Sequence, residues 1–138
     1  MNSFRAILNP LLTALIFTGL TIFLTGYFGL YNFVPYLDKI FHFFDGGIIA
    51  WLVIEFWRYQ RHNFRPQIHW PVIMIAVLVV GLTWELAEHL SSLYSPKYLP
   101  WFMKYFYGGD IVDTVGDVVS DLAGAFVIIF SYPTRKRS

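Results

Sequence analysis

Nine carboxylates stand in a chain of 138 residues, and eight of them fall in three short runs. Asp38, His42 and Asp45 are spaced i, i+4, i+7, and Glu85, Glu88 and His89 are spaced i, i+3, i+4. Asp110, Asp113, Asp117 and Asp121 run i, i+3, i+7, i+11. On a helix each set occupies one stripe. Carboxylate oxygens with one or two imidazoles suit Zn²⁺, Mn²⁺ or Fe²⁺, and Mg²⁺ or Ca²⁺ when the histidines stay out. All of these residues are therefore candidate ligands of a divalent metal ion. Asp45, Glu85, Glu88, His89, Asp117 and His42 are the first choices. Glu88 or Asp113 is the candidate general base that would take a proton from a metal-activated water.

The elements that must carry these residues are membrane spans. The chain is 57% apolar, 20% aromatic and 14% charged, too little polar surface for a soluble domain and the wrong composition for a disordered one. A span needs about 20 mostly apolar residues to cross about 30 Å of hydrocarbon. Four segments qualify, at about 8–33, 38–57, 71–93 and 110–132, separated by Pro35, Pro66, Pro71, Pro96 and Pro100. None alternates with period 2, which excludes a barrel. The expected fold is an all-α, integral-membrane bundle of four transmembrane helices, one domain over 1–138. The first apolar run is longer than a signal-peptide core and no small-x-small cleavage pattern follows it, so it reads as a retained span. Cysteine is absent, which excludes disulfides, thiolate metal sites and Cys nucleophiles. A net charge of +1 makes no case for nucleic acid.

Basic residues orient the bundle. Arg5 precedes the first span, Arg58, Arg61 and Arg65 lie between the second and third, and Arg135, Lys136 and Arg137 follow the fourth. The positive-inside rule then puts both termini and the 58–70 loop in the cytoplasm of a multi-pass cell-membrane protein. The 34–37 turn and the 95–109 loop face outward. That outer loop carries Tyr94, Tyr98, Trp101, Phe102, Tyr105, Phe106 and Tyr107 with Lys97 and Lys104. It reads as an interfacial aromatic belt or as a lid over a site in the outer leaflet.

In this topology the three acidic runs converge near the outward face. Asp45 and Asp117 are each seven residues into their helices, about 10 Å deep, and Glu85 is at a similar depth from the end of the third span. Carboxylates facing lipid at that depth would cost about 2.5–3.5 kcal/mol each, so they must face the bundle interior and be protonated or balanced by cations. No Lys or Arg lies in the deep part of these helices; Lys39 is placed at the rim, off the Asp38 stripe. A metal ion is the simplest compensation. Gly116, Ser120 and Gly124 form a small-residue stripe that lets another helix approach, and Gly46, Gly47 and Ala50 do the same on the second span. Plainer readings apply to some residues. Asp38 and Asp110 are placed to be N-caps, Asp113 to complete a capping arrangement with Asp110, and Glu55 to reach the cytoplasmic interface beside Arg58. His62 and His69 read as solvated surface.

The segments Asp38-Lys-Ile-Phe-His42-Phe-Phe, Trp84-Glu-Leu-Ala-Glu88 and Gly109-Asp-Ile-Val-Asp113-Thr-Val-Gly-Asp117, with Asp121-Leu-Ala-Gly-Ala125, resemble the VanZ-like membrane proteins. They are closer to the branch of small bacterial membrane proteins called YjdF-like, or DUF2238. The resemblance spans 38–125. It implies a multi-pass prokaryotic protein, with a link through VanZ-like members to glycopeptide-antibiotic tolerance and the cell envelope. The family's acidic and His positions carry over onto Asp38, His42, Glu85, Glu88, Asp110, Asp113 and Asp117.

Three functions compete at this level. The first is a metal-binding membrane protein, a hydrolase or transferase acting on a lipid or envelope precursor at the outer leaflet. The second is an ion or proton transporter or channel subunit, with the Asp110–Asp121 stripe as relay; four spans are few for this, so it requires a homo-oligomer. The third is a structural subunit whose acids form an internal hydrogen-bond network.

Overall fold

The computed structural model describes residues 3–30, 33–34, 36–60, 64–98 and 110–133. They form four helices, with no strand among the described residues: α1 (Ser3–Phe28), α2 (Leu37–Gln60), α3 (Trp70–Tyr98) and α4 (Ile111–Ser131). All four are long and apolar enough to cross a membrane. The all-α four-helix bundle expected from hydropathy is the fold observed.

The helix ends follow local chemistry. Gly29, at φ 62, takes the left-handed conformation that closes α1, which glycine adopts without a Cβ penalty. Asp110 is the N-cap of α4, its Oδ1 accepting from the amides of Val112 (2.9 Å) and Asp113 (3.0 Å). One expectation is corrected here. The helix does not break at Pro96, because α3 continues through it to Tyr98, while the apolar span within it ends at Ser91. A proline so close to the end removes one hydrogen bond from the final turns, a smaller loss than in mid-helix. Pro10 is likewise inside α1. Trp101, Phe102, Lys104, Tyr105, Phe106 and Tyr107, read above as a belt or a lid, lie outside the described residues, as do Arg61, His62, Arg135, Lys136 and Arg137.

α2 and α4 enter from the same end and form the central pair; α1 packs on α2, while α3 packs on α4 and α2. The central contact depends on missing side chains. A Cβ at Gly46 would overlap the Asp121 backbone, and one at Gly124 would overlap the Phe43 carbonyl. Small-residue stripes of this kind replace the hydrophobic drive that lipid removes between helices. Below them Ala50, Ile54, Ile73, Val77, Ala125 and Ile129 make a fully buried apolar core. The outer faces are apolar too: Leu15, Ile16 and Val79 are 64%, 69% and 57% exposed, as a lipid-facing surface requires.

A polar clasp closes the end of the bundle opposite Asp38 and Asp110. Arg58 Nη1 donates to Tyr132 Oη (2.7 Å), and Tyr132 Oη donates to Glu55. Gln67 Nε2 donates to the main-chain oxygens of Ile129 (3.1 Å) and Tyr132 (2.8 Å), satisfying carbonyls at the end of α4. Gln67→Ala is expected to lower unfolding stability by about 1–2 kcal/mol, read as the midpoint of thermal unfolding in detergent. An unchanged midpoint would remove the clasp from the account of the fold.

Candidate metal centre

The close approach of α2 and α4 sets the site. Both helices present their acidic stripes at one depth, and α3 brings Glu85 alongside. His42 is at the middle of the arrangement, 7% exposed. Its Nδ1 lies 3.3 Å from Asp121 Oδ1. Its Nε2 faces Asp117 Oδ1 at 3.7 Å, Glu85 Oε1 at 3.8 Å and Asp38 Oδ1 at 4.0 Å. Those three contacts are too long for hydrogen bonds. The Asp38, His42 and Asp117 ligand atoms all lie within 4.8 Å of one another. Around a tetrahedral ion with bonds of about 2.1 Å, neighbouring ligand atoms are about 3.4 Å apart. Asp38, His42 and Asp117 form this group; Glu85 Oε1 lies 3.8 Å from the His42 ring but does not belong to it.

Glu85 adds a second sign. Its residue is 8% exposed. Thr114 bonds its carboxyl group, yet Oε1, the atom aimed at His42, is buried without a hydrogen-bond partner. A buried acceptor left unpaired is costly, and a cation at the centre of the ring would satisfy it.

Lys39 corrects the sequence reading. It does not stay at the rim away from the cluster. Its Nζ reaches Asp113 Oδ1 at 2.5 Å and Asp117 Oδ1 at 2.6 Å, with Asp38 Oδ2 at 3.6 Å. Its stem crosses over Gly116 of α4, where a Cβ would meet Lys39 Cε at 2.9 Å. One residue off a stripe is about 100° around the helix, but a four-carbon stem can return its charge to the interior. The available signal was a long side chain in the first turn facing a glycine on a neighbouring helix.

The remaining expected ligands separate by environment. Asp121, 2% exposed, stands behind His42 and holds its Nδ1 side. Asp113 is engaged by Lys39. Asp110 caps α4 and is exposed. His89 is exposed on α3, in contrast to Glu85 one turn earlier. Asp45 and Glu88 line a cavity of about 200 Å³ beside the cluster, and Glu88 Oε1 accepts from Trp84 Nε1 at 2.9 Å. Thr18, Ile22, Ile48 and Val80 line its apolar part, and Asp38, His42 and Asp121 join its polar wall.

The profile of the family described as "Predicted membrane protein (DUF2238)" matches residues 1–137 of this chain. The match takes in the first helix, which lies outside the three acidic segments. No curated protein and no solved structure matches the chain.

Proposed function

The chain belongs to the DUF2238 family of membrane proteins, and on the geometry of its polar centre we propose that it is a divalent-metal protein with hydrolase or transferase chemistry. Asp38, His42, Glu85 and Asp117 are the ligands. The observation that carries this is the His42 imidazole, with Nδ1 toward Asp121 and Nε2 toward three carboxylate oxygens at 3.7–4.0 Å. Metal-bound histidines almost always give their other ring nitrogen to such a carboxylate, which fixes the tautomer and the ring plane. One imidazole with three carboxylates suits Mn²⁺, Fe²⁺ or Zn²⁺.

The cavity beside the ligands supplies a place for substrate. An apolar cavity of about 150 Å³ accepts a benzene-sized group, so 200 Å³ takes a somewhat larger apolar group or a segment of a lipid tail. An ion held by Asp38, His42, Glu85 and Asp117 would supply Lewis-acid polarisation of a phosphoryl or acyl oxygen of that lipid or envelope precursor and would make a bound water more acidic. Glu88, on the cavity wall, is the general base; Asp113 is held by Lys39. If the basic 58–70 loop is cytoplasmic, as the positive-inside rule expects, the centre belongs to the outward leaflet. This agrees with the cell-envelope setting that the VanZ likeness implies. A relay from Asp121 toward Glu55 would have to cross the apolar core of Ile54, Ile73, Val77 and Ile129, which argues against transport.

Elemental analysis of the detergent-purified chain tests the reading. One Mn, Fe or Zn per chain is expected, lost in His42→Ala. Asp121→Asn is expected to keep the metal at about 10–100-fold weaker affinity. A metal-free wild-type chain whose melting temperature does not respond to added Mn²⁺, Zn²⁺ or Fe²⁺ overturns it.

A further inference from the structure

We infer that Lys39 is a built-in second cation of this centre, its ammonium filling an oxygen cage that in its absence would hold a metal ion. Nζ lies 2.5 Å from Asp113 Oδ1, 2.6 Å from Asp117 Oδ1, 3.1 Å from the Asp113 main-chain oxygen and 3.6 Å from Asp38 Oδ2. Hard divalent cations select oxygen shells of this composition, mixed carboxylate and carbonyl. An ammonium has three N–H donors and no acceptor, and the three shorter contacts use them all. Lys39 therefore contributes a fixed positive charge and keeps no free donor for a substrate. It acts through the carboxylates it holds and is a positioning residue.

The cage and the His42 position share an atom. Asp117 Oδ1 is 2.6 Å from Lys39 Nζ and 3.7 Å from His42 Nε2. One carboxylate oxygen thus serves both positions, held by the Lys39 ammonium on one side and facing the His42 ring on the other. Gly116 completes the device, because any side chain there would meet the lysine stem. The neighbouring position keeps its own unpaired acceptor, Glu85 Oε1, buried and 3.8 Å from His42 Nε2. Lys39 thus balances one part of the carboxylate cluster and leaves the other to a dissociable ion. The His42 position rests on the metal reading above; the cage around Lys39 stands without it.

Mn²⁺ is the probe, titrated into the full-length chain in detergent and counted by elemental analysis after desalting. Lys39→Ala opens the cage and is expected to bind one more ion per chain than the wild type. Lys39→Met fills the same space without charge and is expected to gain none. The double variant Lys39→Ala with Asp113→Asn is expected to lose the extra ion. A folded Lys39→Ala chain with the wild-type ion count overturns the inference. If the wild type binds no ion and Lys39→Ala binds one, the His42 reading fails while the cage is confirmed. Lys39→Ser is read in the same way should Lys39→Ala not fold. If both stay unfolded with Mn²⁺ present throughout purification, the cage does not accept a metal and the inference is lost.

Discussion

Asp117→Ala is expected to abolish metal uptake and to lower unfolding stability by about 3–5 kcal/mol, the cost of breaking a buried charge network by removing one partner. Asp117 is 2% exposed, and its Oδ1 faces both Lys39 and His42. Alanine leaves the Lys39 ammonium with Asp113 as its close carboxylate partner and takes one ligand from the ring around His42. Asp113, 36% exposed at its side chain, is the internal comparison. Solvent can replace part of what its carboxylate does, so Asp113→Ala is expected to cost about 1 kcal/mol or less. Thermal unfolding in detergent with metal analysis separates the two effects. Equal destabilisation by the two alanines would mean that depth does not govern the network.

The second large effect is expected from a change that touches no charge. Gly124→Ala puts a methyl group where the Phe43 carbonyl lies, with the Gly47 amide nitrogen 3.0 Å away. Both neighbours are backbone, so no side-chain rotation relieves the overlap, and α2 must move away from α4. Overpacking typically costs about 1–3 kcal/mol and occasionally more; a clash against backbone belongs at the upper end. Separation of the pair also carries Lys39 and His42 on α2 away from Asp113, Asp117 and Asp121 on α4. Metal affinity is therefore expected to fall although every ligand is intact. Gly19→Ala is the control. A Cβ at Gly19 meets nothing within 4 Å, and alanine is favoured over glycine in a helix by about 1 kcal/mol. Equal behaviour of the two variants would show that the α2–α4 approach does not depend on Gly124.

The candidate site was legible in part. Counting residues from the helix ends placed Asp45, Glu85 and Asp117 at one depth, and small-residue stripes marked the second and fourth spans as open to close approach, without saying which helices meet. Asp110 is an example of the limit. It shares a stripe with Asp113, Asp117 and Asp121, but its position at the helix start gives its carboxylate two backbone amides. His89 shares a stripe with Glu85, yet it is exposed while Glu85 is buried. Stripe membership states which residues share a face of their own helix. It does not state how far that face is turned toward a neighbour.

Sequence alone determined the membrane bundle, because hydropathy over a window is a sum of local transfer energies and does not need the fold to be known. It also determined that the acids needed protonation or positive partners, since burying many like charges without either is prohibitive at any packing angle. The tertiary structure decided which groups meet. The rotation of α2 against α4 is set by backbone contacts at Gly46, Gly47 and Gly124. That rotation brings Lys39 across Gly116, puts Asp121 behind His42, and leaves Asp45 on the cavity wall. A turn of one residue is about 100°, so the identity of each ligand's partner depends on an angle that no single helix contains.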